Sequence, residues 1–150
     1  MSEAKGERGQ IQAEASVSWA GWGGKVHGAS GRLEAPTATQ VELGGPGDGT
    51  NPEELLAAAL ANCFTSTITA TARARNIDLR YIETTARTRL VWDETRPHHI
   101  AEGALSVRIK TAAPEQLVRV LAEDARAHCP VCNLLGASAK VSLSVSVQRE

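Results

Sequence analysis

Between residues 11 and 19 the apolar side chains Ile11, Ala13, Ala15, Val17 and Trp19 alternate with polar ones, which is the period of a strand covered on one face. Gly21, Gly23 and Gly24 supply the permissive backbone of a turn, and residues 25–34 can return as a second strand despite two glycines, giving a hairpin. A third strand is expected at 39–43, ahead of the glycine-rich run 44–49, which cannot hold regular structure. Thr50 or Asn51 is placed to cap a helix, Pro52 suits its first turn, and Glu53 and Glu54 meet the positive end of its dipole, so a helix is predicted from residue 52 to about 75. Residues 55–64 are apolar on every face of that helix, which places it inside the protein or at a subunit interface. Residues 81–92 and 100–110 read as two antiparallel strands joined by a loop, the second with Leu105, Val107 and Ile109 at period two. Pro114, Leu117, Val118, Leu121, Ala122 and Ala125 describe an amphipathic helix ending near His128. There Cys129 precedes Pro130 and is pushed out of helical geometry, and a short helix restarts at the proline. Val141, Leu143, Val145 and Val147, alternating with Ser142, Ser144 and Ser146, form the clearest strand in the chain.

This order predicts an α+β fold, with antiparallel β-sheets around a buried central helix, rather than a doubly wound sheet. At 150 residues, with 42% hydrophobic and 22% charged side chains, the chain suits one soluble domain spanning 1–150, with 1–10 a flexible polar segment. A net charge of -1 leaves no basic excess for nucleic acid or anionic lipid, and the five aromatic residues are scattered rather than set out as a stacking platform. The longest apolar run, 55–61, is far shorter than the ~20 residues that cross a bilayer, so no membrane association is expected. The first ten residues lack an apolar stretch behind a basic start, which makes the cytosol the expected compartment.

Three cysteines, Cys63, Cys129 and Cys132, are an odd number for a reducing compartment, so static disulfides are a poor expectation. Reactive thiols, a metal site or plain buried cysteines remain. Taken alone, Cys63 on a buried helix reads as a small hydrophobe. The stretch Cys129-Pro130-Val131-Cys132 differs, because Pro130 leaves Cys129 at a helix N-cap and Cys132 in the first turn, where the dipole and free amides favour a thiolate.

The segment Gly49-Thr50-Asn51-Pro52-Glu53-Glu54-Leu55-Leu56-Ala57-Ala58-Ala59, followed by Cys63-Phe64, is similar to the peroxidatic helix of the OsmC/Ohr family (osmotically inducible protein C and organic hydroperoxide resistance protein). His128-Cys129-Pro130-Val131-Cys132-Asn133 resembles the family's cysteine-proline segment, and the loop 43–49 resembles that of the Ohr branch. The resemblance implies an intertwined homodimer that reduces organic hydroperoxides to alcohols in a stress response. It assigns Cys63 as the attacking thiol and Cys129 as the resolving one, with the disulfide reopened by a lipoyl-type dithiol such as a lipoylated protein, and it requires no cofactor or metal. Such a sequence of thiolate, sulfenic acid and disulfide is chemically sound. Glu53 matches the family's active-site glutamate, although alone it reads as a surface carboxylate at a helix N-terminus. Ten helical residues, about 15 Å of rise, separate it from Cys63, so any role at the sulfur runs across a dimer interface.

Two departures matter. The family places an arginine beside the peroxidatic thiolate, in the first hairpin loop or just before the glycine loop, and residues 19–24 and 37–45 contain none. Arg32 or Lys25 are the candidate substitutes, Arg32 preferred because a guanidinium can hold Glu53 and a thiolate together. Cys132 stands where the family more often has serine. It is an accessory redox candidate, and with Cys63, Cys129 and His128 it could also complete a zinc site. His27, His98 and His99 read as surface residues, Arg87 and Arg89 as a wet strand face. Leu56, Leu60 and Phe64 near the thiol favour an alkyl or fatty-acid peroxide. The competing functions are a non-catalytic thiol sensor or binding protein of the same fold, and a zinc-binding protein.

Overall fold

The structure, a computed structural model, describes residues 9–150. The expected flexible segment 1–10 therefore lies outside the described residues except for Gly9 and Gln10. The described residues fall into two compact units that divide between Asn51 and Pro52.

The first unit is an antiparallel sheet of three strands, β1 (Ala15–Ala20), β2 (Gly23–Gly28) and β3 (Glu34–Ala38), in the order β1-β2-β3. The hairpin is as expected, but the second and third strands shift. Residues 29–33 form a turn instead of continuing the strand: Gly28 N–H donates to the Leu33 carbonyl at 2.9 Å, and Gly31 takes φ 72, the left-handed region that glycine enters without strain. The strand expected at 39–43 begins earlier, at Glu34, and residues Val41–Leu43 instead close a 3-10 turn. The glycine run folds back on the end of β3, with Gly47 N–H donating to Thr39 and Thr50 N–H to Pro36. Val17, Trp19 and Trp22 are exposed, Trp22 at 62%.

The second unit opens with α1 (Pro52–Ala74), followed by the strands β4 (Tyr81–Val91) and β5 (His99–Thr111). Two further helices, α2 (Glu115–His128) and α3 (Pro130–Gly136), lead into β6 (Lys140–Arg149). The sheet has the order β4-β5-β6, with β4 and β5 antiparallel. The expectation of purely antiparallel sheets is corrected at β6, which lies parallel to β5. A parallel neighbour needs a long crossover, and α2 with α3 supplies it.

The core gathers Leu60, Phe64, Ile68 and Ala72 of α1, Leu105, Val107 and Ile109 of β5, and Val118, Leu121, Ala122 and Ala125 of α2. The α1 residues recur every four positions, which is one stripe of a helix. Around that stripe α1 is half-buried or exposed, with Ala58, Ala59 and Asn62 on the surface, so within one chain its apolar first turns are covered on one side only. By length and composition α1 could also cross a membrane, but its buried stripe is spent on packing against the sheet and α2. Thr65, Thr67, Thr69 and Thr71 each donate a hydroxyl to the carbonyl four residues earlier at 2.8 Å, which satisfies their polar atoms on the helix itself. Gly103 of β5 permits the close approach above it, since a Cβ there would stand 3.2 Å from Leu60 Cδ2 and 3.5 Å from Leu135 Cδ1.

Candidate functional site

Pro130 forces the residue before it into extended backbone, and Cys129 takes φ -74 and ψ 115 between α2 and α3. Proline fits the first position of α3 because its missing N–H would have had no helical partner. The junction is pinned on both sides: Cys129 N–H donates to the Arg126 carbonyl at 3.3 Å, Asn133 N–H donates to the Cys129 carbonyl at 3.0 Å, and Asn133 Nδ2 donates to the Ala127 carbonyl at 3.0 Å. Cys132 follows one turn later, and its N–H donates to Cys129 Sγ at 3.5 Å.

This junction packs on α1 at Cys63. The Cys63 thiol lies beside the Cys129 thiol, with the Val131 amide and the Thr67 hydroxyl near it and the hydroxyl donating to the Cys63 carbonyl at 2.8 Å. Residues 66 positions apart in sequence thus meet, with all three cysteines present as free thiols. Cys129 is fully buried, Cys132 almost so, and Cys63 is partly accessible.

Burial pushes the Cys63 thiol above its ordinary range, and the neighbouring Cys129 acts in the same direction, while the Val131 amide and the Thr67 hydroxyl oppose them. Cys132 is pushed up to about 12, first by burial, then by the adjacent Cys129 and by the charge on Cys63, with Arg126 opposing. The expectation that the first turn of α3 favours a Cys132 thiolate is corrected by this, because desolvation outweighs the opposing charge of Arg126.

Each of the other expected site residues is placed within its own unit. Glu53 starts α1, ten helical residues or about 15 Å of rise from Cys63. Its carbonyl accepts from Thr88 Oγ1 at 2.8 Å. It lines a cleft of ≈ 360 Å³ with Leu56, Leu90, His98 and His99. Leu60 and Phe64 do not line an open pocket near the thiol, since both are fully buried in the core, and only Leu56 faces a cleft. Lys25 is paired with Glu34 on the neighbouring strand. Arg32 stands exposed in the β2–β3 turn rather than on a strand, with its backbone N–H on Ser30 Oγ at 3.3 Å. Arg87 and Arg89 are exposed as expected, Arg89 reaching Glu102 at 3.3 Å.

The zinc arrangement does not form. His128 Nδ1 turns back to the Asp124 carbonyl at 2.8 Å with its side chain exposed. Among the described residues no group of three or more His, Cys, Asp or Glu side chains is arranged to hold a metal ion. Sequence reasoning missed the Val131 amide, Thr67 and Arg126. Thr67 carries a signal, since it lies four residues beyond Cys63 and so on the same helix face; the other two depend on tertiary packing.

The OsmC-like protein family model matches residues 45–144. An organic hydroperoxide resistance protein OsmC from Legionella pneumophila is 31% identical, with 93% of this chain and 99% of that one covered at a TM-score of 0.81. An organic hydroperoxide resistance protein from Elizabethkingia anophelis is 26% identical, covering 95% of this chain and 100% of that one at a TM-score of 0.82. The organic hydroperoxide resistance protein OhrB of Bacillus subtilis, 23% identical, shares the fold at a TM-score of 0.73 over 91% of this chain and 98% of that one. No curated protein sequence matches.

Proposed function

The chain belongs to the OsmC-like protein family, and on that premise we propose that it is a cysteine-based peroxidase that reduces organic hydroperoxides to alcohols. The observation that carries the proposal is the meeting of the Cys63 and Cys129 thiols, one partly accessible and the other buried. The Cys63 thiolate attacks the terminal oxygen of R–O–O–H, the O–O bond breaks, and RO⁻ leaves and takes a proton to become the alcohol. Cys63 is left as a sulfenic acid. Cys129 attacks that sulfur, water leaves, and a Cys63–Cys129 disulfide forms. A lipoyl-type dithiol, itself oxidised to a disulfide, returns both cysteines to thiols. The Val131 amide is the donor nearest the Cys63 thiolate within the second unit, the Thr67 hydroxyl becoming a second only on turning away from the Cys63 carbonyl, and Arg32 is the candidate cation.

The working form is a homodimer in the reducing cytosol. A second copy would cover the exposed Val17, Trp19 and Trp22 and the open side of α1, and would bring its Glu53 to the Cys63 site. One observation favours a thiol sensor of the same fold instead: Cys63 is held above, not below, its ordinary range. Steady-state consumption of cumene hydroperoxide with dihydrolipoamide decides between them. The peroxidase turns over, and Cys63→Ser loses at least ~10³-fold in rate, as expected when a nucleophile is removed. Stoichiometric oxidation of the wild type without turnover would establish the sensor.

A further inference from the structure

Resting on the peroxidase reading, we propose that Cys132 is a third redox cysteine: it takes over the disulfide from Cys63–Cys129, forming Cys129–Cys132 and returning Cys63 to a thiol before the reductant acts. Cys129 sits between the other two, with its thiol against both the Cys63 and the Cys132 thiols. The turn opened by Pro130 fixes the second pair, the Cys132 N–H donating to Cys129 Sγ at 3.5 Å. In the exchange the Cys132 sulfur attacks the Cys129 sulfur, the Cys63–Cys129 bond breaks as the Cys129–Cys132 bond forms, and Cys63 leaves as a thiolate that takes the proton Cys132 gives up. The oxidation level does not change.

The step frees the most accessible sulfur of the three: Cys63 is partly accessible, whereas Cys129 has no exposed surface and Cys132 almost none, so the exchange returns Cys63 to meet a second peroxide while the disulfide sits on the buried pair. Cys132 lines an open groove of ≈ 500 Å³ with Arg126, Asn133, Gly136 and Val141. Moving the disulfide to Cys132 carries it to that groove, where an external dithiol attacks Cys132, releases Cys129 and leaves as its own disulfide. The order of events is built in. In the reduced protein the neighbouring Cys129 and the charge on Cys63 add to burial in holding the Cys132 thiol protonated, with only Arg126 acting against them. Once Cys63 and Cys129 are joined, neither carries a charge or a free thiol, so their share in holding Cys132 protonated is gone while burial, the largest cause, remains.

The test is an acid-quench time course on the reduced full-length protein, without reductant, after one equivalent of cumene hydroperoxide, with thiols alkylated and disulfides mapped by mass spectrometry. The relay gives Cys63–Cys129 first and then its conversion to Cys129–Cys132 with Cys63 alkylated. A second equivalent is then consumed, and dimedone labels Cys63. Cys132→Ser stops at Cys63–Cys129 and does not consume the second equivalent. Wild type that stops at Cys63–Cys129 with Cys132 alkylated overturns the relay and leaves the peroxidase standing. Failure to form any disulfide containing Cys63 at any time overturns the peroxidase, and the relay with it.

Discussion

The protonated Cys132 thiol should make the reduced protein lose stability in alkali, and the size of the loss follows from its surroundings. In the unfolded chain a cysteine titrates near ~8.5, whereas in the fold Cys132 is pushed up to about 12, chiefly by burial. A folded value above the unfolded one means the contribution is intact below the unfolded pKa and is lost as pH rises toward the folded one. Near pH ~10 the unfolded chain has given up that proton and the folded protein has kept it, a difference of about 1.5 pH units or ~2 kcal/mol. Water in the groove beside Cys132 screens the charge, so about 1 kcal/mol is the expected loss. Cys132→Ala removes this contribution, while the burial, Val131, Cys129 and Thr67 influences on Cys63 stay common to both proteins and cancel in the comparison. Urea unfolding of wild type and Cys132→Ala under reducing conditions, at about pH 7.5 and about pH 10, isolates the effect. With a slope of ~2 kcal/mol per molar urea, wild type should lose about 0.5 M more in midpoint than the variant. An equal loss in both proteins would refute the reasoning.

Phe64→Ala opens a cavity under α1 at a fully buried side chain and should cost about 3–5 kcal/mol, read by chemical denaturation. Arg32→Met should raise the Cys63 pKa and slow the peroxide step while leaving the circular dichroism spectrum intact; thiolate titration and a single-turnover rate both unchanged would exclude Arg32 as the cation. Sedimentation at micromolar concentration should show a dimer, and a monomer alone would remove Glu53 from the site.

What the sequence made legible is local. Pro52 with two glutamates behind it marks the start of α1, and Cys129-Pro130 marks the break between α2 and α3, because capping and proline sterics act within a few residues. The turn at 29–33 was hidden because a glycine in a strand and a glycine in a left-handed turn look alike in sequence, and only the Gly28–Leu33 hydrogen bond distinguishes them. The parallel direction of β6 was hidden because alternation of valine and serine specifies a covered face and not a strand direction. The meeting of Cys63 with Cys129 belongs to tertiary structure, and it came from family resemblance before geometry. The burial of Leu60 and Phe64 shows the limit of composition: two of the three residues read as a peroxide pocket belong to the stripe that holds α1 to the core, and only Leu56 faces a cleft.

The central claim, that the Cys63 sulfur breaks the O–O bond, is tested most directly in Cys129→Ser, where the proposed resolving thiol is gone and the sulfenic acid lives longer. Reduced Cys129→Ser is mixed with one equivalent of cumene hydroperoxide and dimedone, cumyl alcohol is quantified, and the adduct is located by peptide mass spectrometry. About one alcohol per chain and the label on Cys63 are expected. Unreacted peroxide, or label on Cys132 with Cys63 still a free thiol, would contradict it.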